Sequence, residues 1–112
     1  VAVLGVAYKK NVDDPRESPF YEVRELLNKK GADLNVYDSW VTFDNNVDSL
    51  QQALADAKAI LIVTEHTDSI NELKSLDLTN SSVEVIVDGR NCLDAEAVVK
   101  QGLLYRGIGR RA

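Results

Sequence analysis

Methionine is absent from this chain, cysteine occurs once, and no apolar run approaches the roughly 20 residues that a membrane-spanning helix needs. One cysteine excludes an internal disulfide framework and fits a reducing compartment, so the cytoplasm is the expected location. No basic segment leads into a signal-like core at the N-terminus, and nothing in the pattern crosses a membrane. The missing methionine, together with a first residue already inside an apolar strand pattern, leads us to expect a domain cut from a longer protein. An excess of positive charge is also lacking. With a formal net charge of −5 the chain has no broad nucleic-acid-binding face, and any anion binding must be local. There is no internal repeat, low-complexity tract or Pro/Gly/Ser linker. One cysteine and one histidine cannot supply the clustered spacing of a metal site.

What is present is ordinary globular composition, 45% hydrophobic and 28% charged, at a length that permits one core and hence one domain over residues 1–112. Five apolar segments, residues 1–7, 33–38, 59–64, 83–88 and 103–108, alternate with helical patterns. That alternation specifies βαβ units and a parallel sheet. The first helix has Ser18 as cap, Pro19 in its first position and Gly31 as its stop, with Phe20, Val23, Leu26 and Leu27 on the inward stripe. Asp48, with Gln51 three residues on, announces the second, which carries Leu50, Ala53, Leu54 and Ala57. Thr67 is expected to cap a third helix carrying Ile70 and Leu73; Asp94 opens a fourth that Gly102 ends. The segment 41–47 is expected to be a surface loop pinned by Trp40 and Phe43. With right-handed crossovers, the expected fold is an α/β, Rossmann-like three-layer sandwich around a five-stranded parallel sheet of order 3-2-1-4-5.

The turn YKKNVDDPRESP, from Tyr8 to Pro19, sets Lys9, Lys10 and Arg16 among Asp13, Asp14 and Glu17 between the first strand and helix. The carboxyl end of a parallel strand is where open α/β sheets bind ligands, and these cations suit an anion such as a nucleotide phosphate or a sugar carboxylate. The first strand ends in Gly5-Val6-Ala7, without the successive glycines of a dinucleotide fingerprint, so recognition falls to side chains rather than to a backbone cradle. An ion-paired turn that merely stiffens the corner is the competing reading, with Asp13 and Asp14 structural in either case. After the fourth strand, Asp88-Gly89-Arg90-Asn91 offers a planar guanidinium beside a glycine, and the expected strand order brings this loop next to the first. Cys92 has no base visibly paired with it and reads as structural; His66 lies at the end of a different strand.

Taken in order, GVAYKKNVDDPRESP, GADLNVYD, VTEH, VDGRN and YRGIGR resemble the C-terminal, UDP-binding domain of the UDP-glucose/GDP-mannose dehydrogenase family, over essentially the whole chain. The resemblance implies a part of an enzyme that oxidises the C6 hydroxyl of a nucleotide-sugar to a carboxylate in two steps. Two NAD⁺ and a thioester-type intermediate on a cysteine are implied, with that cysteine and its partners in N-terminal and central domains. No catalytic residue is therefore expected here, and the isolated piece should be inactive. By the same resemblance Tyr8 lies near the uridine, Lys9 and Arg16 near phosphates or cofactor, and Arg90 near the UDP-sugar. Arg16 is the candidate for contacting NAD, at its own or a neighbouring subunit's site, while the N-terminal domain holds most of that cofactor. The partners implied are a UDP-sugar, the missing domains and, at full length, further copies of the same chain. Thr64-Glu65-His66 looks like members acting on UDP-N-acetylhexosamines, whereas the closing GIGR leans toward UDP-glucose. A stand-alone anion- or nucleotide-binding regulatory module with no redox role is the alternative from a different functional class.

Overall fold

The computed structural model describes residues 1–107 and the backbone of Arg110 and Arg111. Ile108, expected to end the last parallel strand, and Gly109 of the GIGR segment lie outside the described residues. Five strands are parallel: β1 (Ala2–Leu4), β2 (Asn35–Tyr37), β3 (Ala59–Ile62), β4 (Val85–Asp88) and β5 (Leu104–Gly107). A two-residue strand, β6 (Arg110–Arg111), adds antiparallel to β5. The helices are α1 (Phe20–Lys29), α2 (Leu50–Leu54), α3 (Thr67–Ser75) and α4 (Ala95–Lys100).

The α/β class and the parallel sheet are as expected, but the order is 2-1-3-4-5, not 3-2-1-4-5. The sequence carries a physical reason for the difference. In β3 every residue of Ala-Ile-Leu-Ile is apolar, which suits a central strand buried on both faces. β2 is Asn-Val-Tyr followed by Asp38 and buries only Val36, as an edge strand does. The place where the winding reverses therefore lies between β1 and β3, and the segment after β3, not the loop after β4, is the direct neighbour of the β1–α1 loop.

Alternating residues divide the core. Ala2, Leu4, Ile60, Ile62 and Ile86 face α2, α3 and α4 through Leu50, Ala53, Ile70, Leu73 and Val98. Val3 and Val36 face the other way and pack with Phe20 of α1. Leu26, expected on the buried stripe of α1, is instead exposed. Phe20, Val23 and Leu27 follow helical spacing, and Leu26 points about 100° away from Leu27.

Local signals set most element ends. Ser18 Oγ accepts from Phe20 N at 3.1 Å, and Pro19 has helical angles with its carbonyl accepting from Val23 N. At the far end Gly31, at φ +79°, donates to Asn28 O while Ala32 N reaches back to Leu27 O, a Schellman closure. Asp94 caps α4 through Glu96 N, as expected. The cap of α2 is Ser49, accepting from Gln52 N at 3.1 Å, one residue beyond the expected Asp48; Gln52 Oε1 accepts the Asp48 amide instead. Thr67 does not cap α3 with its own hydroxyl; its amide donates to Asn11 Oδ1, from the β1–α1 loop.

The outer edge of β2 is closed by side chains rather than by another strand. Asn46 Oδ1 accepts from Val36 N, and its Nδ2 donates to Leu34 O. Asn45 likewise accepts from Asp38 N and donates to Asp38 O. These bonds hold the 41–47 loop together with buried Val41. Phe43 does not pin it, being 92% exposed.

β1 stops at Leu4 because Gly5 turns the chain at φ +105°. A Cβ there would lie 2.4 Å from Thr64 N, so the ends of β1 and β3 approach too closely for any side chain. Gly5→Ala is expected to destabilise the protein by about 3 kcal/mol or more, strain and clash together. Urea denaturation checks this, and an unchanged midpoint would contradict the close approach.

Candidate functional site

At the carboxyl end of β2, Asp38 is fully buried and its carboxylate accepts five hydrogen bonds. Oδ2 receives Val6 N at 2.6 Å, Ala7 N at 2.9 Å and His66 Nε2 at 2.9 Å. Oδ1 receives Trp40 N and Val41 N, each at 2.7 Å. Burial alone pushes a carboxyl up, but His66 and the backbone amides of Val41, Val6 and Ala7 outweigh it and hold Asp38 well below the usual carboxylate range. His66 Nδ1 accepts the Asn11 amide at 2.7 Å. An amide can only donate, so Nδ1 carries the lone pair and Nε2 the proton, which makes the imidazole neutral. Trp40, 45% exposed, lies over the ring with centroids 5.9 Å apart and planes 28° from parallel.

The β1–α1 loop grows out of this base. Thr64 Oγ1 donates to Ala7 O at 2.6 Å, and Tyr8 N closes the loop on Asp14 O at 2.7 Å. Asn11 and Glu17 take positive φ, conformations concentrated where a loop is held in a particular shape. Tyr8, Lys9 and Lys10 are exposed. Arg16 grips Asp14 with Nε and Nη2, the latter at 2.8 Å, while 85% of its side chain stays exposed. The Arg16 guanidinium holds the Asp14 carboxyl down, to about 2, and Asp14 is thus the structural partner expected of it. Asp13 is exposed and merely flanks the turn.

Arg90 does not open directly beside this loop, because β3 intervenes. Its Nε donates to Glu65 Oε2 at 3.1 Å, and Glu65 immediately precedes His66. The two basic loops are thus joined through the Glu65-His66 pair. Glu65 Oε1 is buried without a partner among the described residues, and it borders a cavity of about 190 Å³ that Lys10, Thr67, Lys74 and Cys92 also line. A larger cavity of about 310 Å³, lined by Leu73, Leu78, Ile86 and Val98 among others, contains none of the expected site residues.

Asp88, at the end of β4, repeats the design of Asp38. Its buried carboxylate accepts from Tyr105 OH at 2.8 Å, Leu93 N at 2.9 Å and Arg90 N at 3.1 Å. Despite burial, these donors lower its pKa. Cys92 Sγ lies 3.4 Å from the same carboxylate, and burial, followed by the Asp88 charge, pushes the thiol up to about 12. A thiol with so high a pKa carries little thiolate at neutral pH. Sequence reasoning missed Asp38 and Asp88. The one available signal was an aspartate ending each of two strands, a position easily taken for a surface turn.

The residues fit no dinucleotide cradle. The amides of Gly5, Val6, Ala7 and Tyr8 are all engaged within the protein, so none of them is open to an anion at the end of β1. Among the described residues no cluster of His, Cys, Asp and Glu could hold a metal ion, and no helix is long and apolar enough to cross a membrane.

Comparison with known proteins places this geometry among relatives. Residues 2–95 match the model of the UDP-glucose/GDP-mannose dehydrogenase family, UDP binding domain. The chain is 35% identical to a UDP-N-acetyl-D-mannosamine dehydrogenase of Pyrococcus horikoshii, over 98% of its own length and 25% of that protein's. The Pyrococcus horikoshii enzyme's solved structure superposes with a TM-score of 0.79. A UDP-glucose 6-dehydrogenase of Rhizobium meliloti is 33% identical over 98% of this chain and 27% of its own. The structure of an NDP-N-acetyl-D-galactosaminuronic acid dehydrogenase of Methanosarcina mazei superposes with a TM-score of 0.82 at 33% identity, covering 98% of this chain and 24% of that one. The chain thus spans about a quarter of the length of the relatives it matches.

Two measurements check the buried groups. The stability that Asp38 supplies is full above the ordinary carboxyl value of 3.8 and is lost as acid takes the pH down through its lower folded value. Asp38→Asn should cost about 2–4 kcal/mol at pH 7 and flatten the fall in urea-measured stability below pH 4. Cys92 should resist a thiol reagent at pH 8 in the native protein and react in urea; rapid native labelling would contradict the high pKa.

Proposed function

Because the chain belongs to the UDP-glucose/GDP-mannose dehydrogenase family, through its UDP-binding domain, we propose that it is the UDP-sugar-binding part of an NAD-dependent nucleotide-sugar 6-dehydrogenase that oxidises a C6 hydroxyl to a carboxylate. The observation that carries this reading is the β1–α1 loop at the point where the sheet reverses its winding. Where the loop leaves β1, the amides of Val6, Ala7 and Tyr8 are engaged within the protein, while Lys9, Lys10 and the Arg16 guanidinium stand exposed. An anion arriving there meets cations on a fixed frame.

In this reading Tyr8 presents its half-exposed ring to the uracil and Lys9 its ammonium to the diphosphate. Arg90, held at Nε by Glu65, turns the rest of its guanidinium fork to the UDP-sugar. Arg16, paired on one edge by Asp14, contacts UDP phosphate or the NAD of its own or a neighbouring subunit. NAD supplies the oxidant when bound, held mainly by other parts of the full-length protein. Those parts also carry the catalytic residues, since the protonated Cys92 thiol is unsuited to attack. The full-length enzyme is then a cytoplasmic homo-oligomer, and its substrate is UDP-glucose or UDP-N-acetyl-D-mannosamine, the substrates that the relatives' names state.

Titrating the labelled chain with UDP should shift the amides of residues 8–16, 64–66 and 89–91 and leave the α3–α4 cavity unaffected. Lys9→Ala and Arg90→Ala should each weaken UDP by roughly tenfold, as expected for a lost charged hydrogen bond. UDP shifts confined to other surfaces would sink the reading.

A further inference from the structure

We propose that His66 is a positioning residue for the β1–α1 loop, a two-sided latch that fixes the Asn11 amide, and with it Lys9, relative to the Asp38 carboxylate. This deepens the UDP-binding reading and rests on it. Among the described residues, every hydrogen bond from residues 8–17 to strands or helices beyond the loop's own ends runs through Asn11. Its amide donates to His66 Nδ1, its Nδ2 to Thr67 Oγ1 at 2.9 Å, and its Oδ1 accepts from Thr67 N at 3.0 Å. The other bonds of the loop are internal, such as Tyr8 to Asp14 and Arg16 to Asp14.

The other side of the latch gives the arrangement its precision. His66 Nε2 donates to Asp38 Oδ2, the same oxygen that receives Val6 N and Ala7 N. Where the loop leaves β1, and where it is caught again at Asn11, it is referenced to one buried atom. Any buried imidazole must satisfy its two nitrogens; here the two partners lie 28 and 55 residues away in sequence, so the ring ties the loop to the end of β2. Lys9 sits two residues before Asn11 and makes no core contact of its own, so its position depends on this tether.

Two variants separate the sides of the latch. In His66→Asn the side-chain carbonyl lies where Nδ1 was and still accepts the Asn11 amide, but the reach to Asp38 is lost. In His66→Gln the amide nitrogen lies where Nε2 was and still donates to Asp38, but nothing accepts from Asn11. A filling role would make the two alike. The latch predicts that His66→Gln lowers the order parameters of residues 9–13 and weakens UDP about tenfold, by shrinking the binding-competent fraction of the loop. His66→Asn should keep loop order and bind UDP within about twofold of the unaltered chain. Asn11→Gly, which keeps the amide and tolerates positive φ, supplies a variant at an exposed position that folds regardless. It removes both bonds to Thr67 and leaves the one to His66, so the amide of residue 11 should still show the coupling to His66 Nδ1 described below.

In the unaltered chain the hydrogen bond itself should appear as a ¹⁵N–¹⁵N scalar coupling between the Asn11 amide and His66 Nδ1. Absence of that coupling, or equal loop order in the two His66 variants, overturns the latch, and UDP shifts in the same sample leave the binding reading standing. Coupling and the split in loop order without any response to UDP overturn the binding reading and support the latch.

Discussion

One carboxylate organises the functional end of this molecule. Asp38 is an anion out of contact with water, a state tolerated only because five donors face it. Those donors come from the ends of β1 and β3 and from the segment after β2, three stretches of chain that adjacent strands deliver to one place. Removing the charge would strand the donors, and removing the donors would make the charge untenable. Asp88 enforces the same mutual dependence on the loop that carries Arg90. Two buried anions thus shape two cationic loops without direct contact with the exposed lysines.

That division of labour explains how a β1–α1 loop without a glycine fingerprint still makes a binding surface. In a pyrophosphate cradle the backbone amides are the recognition groups and must stay free. Here Val6 and Ala7 spend theirs on Asp38, so the backbone is scaffold and the charges are carried on side chains. Recognition by exposed side chains demands a rigid base, because each flexible cation adds its own entropy loss to binding. The ion pair between Arg16 and Asp14 reduces part of that loss by holding the fork before a ligand arrives.

Much of the fold was legible because it depends on local chemistry. Ser18, Gly31, Asp94 and Gly102 each act within a few residues of their own position, and the alternation of apolar segments with helices needs no tertiary knowledge. Strand order was not legible from crossover handedness, which permits both windings. The entirely apolar β3 beside a half-polar β2 held the answer. Asp38 escaped notice, and His66 stood in the sequence only as a strand end and part of a motif, because their meaning lies in partners 28 to 55 residues distant, and nothing near an isolated aspartate or histidine announces those partners. Leu26 and Phe43 misled in the opposite sense, since a hydrophobic residue is not obliged to be inside.

The side-chain lane along β2 makes one edge of the sheet depend on two primary amides. Asn45 and Asn46 fill ladder positions that a strand would otherwise take, each with an amide that both donates and accepts. Primary amides hydrolyse slowly, releasing ammonia, and are among the thermolabile groups of proteins. Once Asn46 becomes an aspartate, the group that donated to Leu34 O is an anion facing that carbonyl, and the lane is repelled from the strand it guarded. Loss of the two amide side chains would leave the edge of β2 held by the backbone bond from Asn46 N to Val36 O, a thinner guard against pairing with a strand of another molecule.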